Sequence, residues 1–193
     1  MFRDLYIYFF GSDFRSIPFL DTISKTKRPL KVITLPPVRK GRGKKLSPNP
    51  VEAYSIKNNI EFSYYDSEKE YLDMGYGISA SFAKIFTKEY IEKNPPIYNI
   101  HLSLLPKLKG PTPVETAILQ SHQEVGWSIF EVNEHIDGGN IVFRSNPIVI
   151  NENDHASDLY QKIYEDFDIV FRRLNFKLMN KDFQNMGAYP YGG

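Results

Sequence analysis

A chain of 193 residues with 41% hydrophobic side chains can bury one sizeable core and is too short for two full domains. Its formal net charge of +1 excludes a globally basic nucleic-acid coat, so any contact with a polyanion has to come from a local patch. The lack of cysteine removes disulfide frameworks, thiolate metal sites and a cysteine nucleophile together, and the four histidines have no clustered zinc spacing.

Met1-Phe2-Arg3-Asp4 leads almost directly into a strand, which leaves no room for an amphipathic presequence; a targeting segment is expected to be absent or already removed. No apolar run reaches the length of a membrane span. Leu5 to Phe10 reads as a buried strand stopping at Gly11-Ser12-Asp13, and Ile17, Phe19, Leu20 and Ile23 suit a short helix with Pro18 near its start. A second strand, Leu30 to Leu35, ends at Pro36-Pro37, which cannot donate to a ladder. Arg39 to Asn49 reads as a loop broken by Gly41, Gly43 and Pro48, followed by a helix over Pro50 to Lys57 and a strand over Ile60 to Tyr65.

Further strands are expected at Met74 to Ser79 and Ile97 to Ile100, with a short helix around Thr87 to Ile91 between them. Thr112-Pro113-Val114-Glu115 has the form of a capping box with proline at the first helical position, predicting a helix to about Gln120. Trp127 to Val132 and Ile141 to Ile150 complete the strands. Leu159, Ile163, Phe167, Val170, Phe171 and Leu174 recur at helical spacing, so Asp154 to about Leu178 is an amphipathic helix. Alternating strands and helices argue for an α/β fold whose ligands sit at the carboxyl ends of the strands.

The polar residues at one such end carry the chemistry. A strand running into His101 puts Asn99 and His101 on the same side by its period of two, and Asp137 follows in His135-Ile136-Asp137-Gly138-Gly139. Taken singly, an Asn-x-His pair is a capped strand end and an Asp-Gly pair a solvated turn. His122, His135 and His155 have no comparable neighbours in the sequence.

Together with their surroundings these residues resemble the folate-dependent formyltransferases, above all the branch acting on methionyl-tRNA. The matching segments are Asn99-Ile100-His101-Leu102-Ser103-Leu104-Leu105-Pro106, then Lys107-Leu108-Lys109-Gly110 before a helix, then Asp137-Gly138-Gly139-Asn140-Ile141. Leu102 replaces the family's usual small residue or proline, and Leu108 its frequent aromatic. The likeness runs from Leu5 to about Leu174 and implies a Rossmann-like formyltransferase fold, a mostly parallel central sheet with helices on both faces. It implies 10-formyltetrahydrofolate as co-substrate, no metal, and formyl transfer to the amino group of initiator methionyl-tRNA for translation initiation.

An amine attacking a formyl carbon builds negative charge on the formyl oxygen while its own protons become acidic. The resemblance implies that Asn99 donates to that oxygen, that His101 adds a donor or shuttles protons, and that Asp137 orients His101 and accepts a proton. It further implies that Ser103, Leu104, Leu105 and Pro106 flank the folate and that the backbone around Phe82, Ala83 and Ile85 cradles the pterin. Arg39, Lys40, Arg42, Lys44 and Lys45, five cations in seven positions beside two glycines, can follow phosphates but do not form a P-loop, because Lys45 stands where Ser or Thr is needed. By resemblance this is the loop that grips the tRNA acceptor end, with Lys107 and Lys109 extending it.

Formyltransferases of phosphoribosylglycinamide carry a glycine-rich phosphate loop after the first strand, where this chain has Gly11-Ser12-Asp13-Phe14; amino-sugar enzymes have less use for a basic loop. Both remain alternatives, as does a non-catalytic relative that binds RNA or a partner complex. The expected organisation is a catalytic domain over 1–178 and a tail over 179–193, without the C-terminal β-barrel usual in the methionyl-tRNA branch. The expected state is a monomer in the mitochondrial matrix or, alternatively, a bacterial cytoplasm.

Overall fold

Tyr6–Phe10 forms strand β1, and its last four residues are buried on both pleat faces, the signature of an inner strand in a parallel sheet. The computed structural model describes residues 5–40 and 45–173. The other elements are α1 (Ile17–Ser24, entered through the 3-10 turn Phe14–Ser16), β2 (Leu30–Thr34), β3 (Val38–Lys40), β4 (Lys45–Ser47), α2 (Pro50–Lys57), β5 (Phe62–Tyr64), β6 (Met74–Ala80), α3 (Lys88–Lys93), β7 (Ile97–His101), α4 (Pro113–Leu119), β8 (Glu124–Val125), β9 (Ser128–Glu131), β10 (Ile141–Arg144), β11 (Ile148–Val149) and α5 (Ala156–Arg173). Seven strands join one sheet in the order β10-β9-β7-β6-β1-β2-β5. Strand β1 is parallel to β2 and β6, and β2 to β5, while β9 and β10 are antiparallel. The architecture is the mostly parallel α/β sheet expected from the sequence.

The chain divides into two compact units, Met1–Asn99 with Val132–Glu134, and Ile100–Glu131 with His135–Gly193. The core of the first is aromatic: Tyr8, Phe10, Tyr71, Phe86 and Tyr90 pack with Ile33, Met74 and Ile97. Phe86 stacks on Tyr90 at 5.5 Å between ring centres and stands edge-on to Phe10 at 5.2 Å. Asn49 opens α2 by accepting the Val51 and Glu52 amides, and Thr87 opens α3 by accepting that of Tyr90, so a polar cap sets both starts, joined at α2 by Pro50 in the first turn. In the second unit Trp127, fully buried, stacks on Phe143 at 4.9 Å and meets the edge of Phe167 of α5 at 5.1 Å. Leu159, Ile163 and Phe167 bury one stripe of α5, as their spacing predicts.

Four expectations are corrected. The single strand over Ile141 to Ile150 is two, β10 and β11, because Pro147 cannot donate and the Ser145 hydroxyl takes the Trp127 amide. β11 pairs instead with the two-residue β8. The basic segment is not wholly a loop: β3 and β4 pair antiparallel, with Lys40 opposite Lys45. Thr112 precedes α4 but makes no side-chain cap, its ψ of 56° falling outside the extended region, and Glu115 accepts the Tyr160 hydroxyl instead. α5 starts at Ala156, two residues after the expected Asp154; residues 174–178 and the tail 179–193 lie outside the described residues.

Candidate active site

Strand β7 carries Asn99 half-buried and ends on His101, which is buried. Asn99 falls in the first unit and His101 in the second. Within the second unit the fold brings His101 and Asp137 together from positions far apart in sequence: Nδ1 of the ring lies 3.7 Å from Oδ1 of the carboxylate. That is too long for a hydrogen bond, and it is an ion pair when the ring carries a hydrogen on both nitrogens. Both side chains are largely shielded, at 7% and 13% exposure, so the pair is only weakly screened by solvent.

Two backbone groups hold this pair. Nε2 of His101 lies 2.9 Å from the Leu108 carbonyl oxygen, which can only accept, so Nε2 carries the hydrogen and Nδ1 is the atom that faces Asp137. The other carboxylate oxygen, Oδ2, accepts the Gly110 amide at 2.8 Å. Gly110 has φ +108, a conformation open to glycine, which is how its amide comes to face the carboxylate. Asp137 itself sits at φ +47, in the left-handed region that aspartate tolerates better than most residues but at a cost. A side chain at Gly139 would run into the Glu131 carbonyl oxygen, so the segment after Asp137 can lie against β9 only with glycine there. Asp137 is therefore part of a constrained turn and not a free surface carboxylate.

The residues expected around a folate divide into available and engaged groups. Ser103 and Leu105 are buried, and the Ser103 hydroxyl donates to the Lys107 carbonyl at 2.7 Å; Leu104 is half-buried and Pro106 exposed. In the first unit Phe82 stacks on Phe86 at 5.5 Å and stands edge-on to Phe10 at 5.8 Å, so its ring serves the core. The Ala83 amide donates to the Ser12 hydroxyl at 3.0 Å, and that hydroxyl donates to the Ser81 carbonyl at 3.2 Å. Ile85 turns its side chain outward, 68% exposed, and Ala83 is exposed.

Of the basic residues, Arg39 and Lys40 end strand β3 and Lys45 begins β4; Arg42 and Lys44 lie outside the described residues. Lys107 and Lys109 are exposed in the second unit. Among the described residues no three His, Asp or Glu side chains converge as a metal site, and no helix is long and apolar enough to cross a membrane. Reading side chains alone passes over the Leu108 carbonyl and the Gly110 amide. The glycine after two lysines was the available signal for the latter; the former leaves none.

Residues 11–172 match the family described as formyl transferase. A methionyl-tRNA formyltransferase of Buchnera aphidicola subsp. Schizaphis graminum is 34% identical over 173 residues, covering 84% of this chain and 55% of its own. One of Endomicrobium trichonymphae is 33% identical over 167 residues, covering 81% and 53%. The chain spans about half the length of the curated relatives it matches. Among solved structures, the sugar 3N-formyl transferase WlaRD superposes with a TM-score of 0.72 at 24% identity, covering 93% of this chain and 64% of that one. A phosphoribosylglycinamide formyltransferase from Bacillus halodurans gives 0.66 at 19% identity, covering 91% and 98%.

Proposed function

The chain belongs to the formyl transferase family, and on that premise we propose that it moves a formyl group from 10-formyltetrahydrofolate to the amino group of initiator methionyl-tRNA. The observation that carries this reading is the His101–Asp137 pair, built from distant segments and held on both sides by backbone. The amine nitrogen bonds to the formyl carbon that the folate carries, the bond from that carbon to the folate nitrogen breaks, and that nitrogen leaves as tetrahydrofolate with a proton that balances the one the amine gives up. Asn99 donates its side-chain amide hydrogen to the formyl oxygen as negative charge grows there. Asp137 keeps Oδ1 unbonded while Gly110 fixes Oδ2, so Oδ1 is the acceptor for the proton that the attacking amine loses, directly or through water. His101 stabilises and orients that carboxylate. A second role, donation to the formyl oxygen, needs its Nε2 hydrogen to be exchanged from Leu108.

The Ser103–Pro106 turn and the outward-facing Ile85 are the proposed folate contacts, with the exposed Pro106 and the half-buried Leu104 offering the apolar surface of the turn. Strands β3 and β4, which carry Arg39, Lys40 and Lys45, are the proposed tRNA contact together with Arg42 and Lys44; Lys107 and Lys109 are proposed as further phosphate contacts. The tRNA acceptor is favoured over phosphoribosylglycinamide by the turn after β1. There Asp13 accepts the Arg15 amide and pairs with the Arg15 guanidinium at 2.7 Å, placing a carboxylate where a phosphate loop would need bare amides. Likeness to the sugar and glycinamide enzymes is a likeness of fold.

Incubating the purified chain with 10-formyltetrahydrofolate and charged initiator tRNA tests the reading. Formyl-methionine should form with the normal chain and be lost with Asp137→Ala; a chain that binds tRNA but never transfers the group is a non-catalytic relative. Binding measured at two salt concentrations should weaken steeply as salt rises, and salt-independent binding removes strands β3 and β4 from the account. For the compartment, the bacterial origin of the relatives supports a bacterial cytoplasm over the mitochondrial matrix, and the proposed state is a monomer; cell fractionation and light scattering check each.

A further inference from the structure

Resting on the proposed formyl transfer, we infer that Ser128 and Arg144 act as a pair of positioning residues that hold the Ser103–Pro106 turn, and through it the formyl-folate, in place for transfer. The two residues are direct partners across the antiparallel β9–β10 ladder. Such partners project from the same face of a sheet, so their side chains can reach one target. That target is Leu105 and its neighbour. The Ser128 hydroxyl, fully buried, donates to the Ser103 carbonyl at 2.7 Å and accepts the Leu105 amide at 3.0 Å. Arg144 Nε donates to the Leu105 carbonyl at 2.7 Å.

A hydroxyl has one hydrogen and two lone pairs, so Ser128 spends its only donor on the turn. With the Ser103 hydroxyl closing on the Lys107 carbonyl, the backbone from 103 to 107 is pinned at its start, middle and end. Ser128 is a small polar residue inside the otherwise apolar Trp127-Ser128-Ile129-Phe130, where a buried hydroxyl needs partners of this kind. Neither side chain is needed for the chemical step. Their effect should fall on how well the donor is held.

The test uses Ser128→Ala, Ser128→Thr and Arg144→Met in the full chain, with folinic acid as a stable probe of donor binding and with steady-state KM and kcat for transfer. Arg144→Met, which loses one hydrogen bond to the turn, should weaken folinic acid binding and raise KM for the donor by about threefold to tenfold, and Ser128→Ala, which loses two, by at least as much, with kcat changed less in both. Ser128→Thr keeps the hydroxyl and should restore both. A fall in melting temperature with unchanged donor binding in both loss variants overturns the inference, as does a threonine variant as weak as the alanine one. Should Ser128→Ala not fold, the surface-lying Arg144→Met carries the test alone. If the unsubstituted chain neither binds folinic acid nor transfers formyl, the proposed function itself has failed and this inference goes with it.

Discussion

Asp73 in the first unit and Asp137 in the second each have a basic side chain beside them, and their surroundings use that neighbour in opposite ways. Asp73 is saturated: Oδ1 accepts the Tyr8 hydroxyl at 2.6 Å and Oδ2 accepts Lys31 at 2.8 Å, while the Lys31 ammonium also lies 4.5 Å from the centre of the Tyr6 ring. Lys31, then Tyr8, hold the Asp73 carboxyl below its ordinary value, and Asp73 in turn raises Lys31. Asp137 has one short hydrogen bond, to a backbone amide, and stands 3.7 Å from a histidine in a left-handed backbone. A carboxylate built for stability has its lone pairs filled on relaxed backbone. Asp137 instead has one oxygen outside any hydrogen bond and sits in a strained backbone, the arrangement that its proposed role as proton acceptor calls for.

The strongest break of this contrast is Asp137→Ala, which should lower formyl transfer by about 10²–10⁴, the usual range for a general base, whereas Asp73→Asn should leave the rate near normal. Equal loss in both would end the distinction. Asn99→Ala should follow, at about 10²–10³ in kcat, the scale for removing one donor to a developing oxyanion. Gly139→Ala should destabilise the protein by about 1–3 kcal/mol, because its new carbon meets the Glu131 carbonyl, and urea midpoints would read it.

The smallest effect is a pH profile. Because the folded Asp73 carboxyl lies below its unfolded value, its contribution is complete above the ordinary aspartate range of about 4 and disappears as pH falls through the depressed value. Lys31, raised in the folded state, contributes fully below the ordinary lysine value and loses that contribution as pH rises through the folded one. Urea unfolding followed from neutral to acid pH should therefore show a shallower acid decline in Asp73→Asn than in the normal chain. An unchanged decline would mean that other carboxylates control it.

The elements that a sequence reader finds are those with a local cause. α2 begins and ends where Asn49-Pro50 and the following turn put it, and β1 is an unbroken apolar run. What escaped has causes elsewhere in the chain. β8 and β11 are two residues each and exist only as partners, and the β3–β4 pairing hides in a charged stretch without apolar alternation. Phe82 could be weighed as core or as ligand surface, and only its rings of neighbours assign it to the core. In the candidate site Asn99, His101 and Asp137 were visible as residue types, while the left-handed turn at Asp137 and the carbonyl that occupies His101 were not, since backbone groups carry no letter of their own.

Trp127 is the chain's sole tryptophan, fully buried, with its indole N–H donating to Asp166 at 2.7 Å. Excited at the red edge of protein absorption, where the 13 tyrosines stay dark, its emission is a built-in optical reporter for the half of the molecule that contains His101 and Asp137. Most of the tyrosines, by contrast, belong to the other half: Tyr6, Tyr8, Tyr54, Tyr64, Tyr65, Tyr71, Tyr76, Tyr90 and Tyr98. A single sample viewed at two wavelengths can therefore time the melting of each half separately, without attaching any dye.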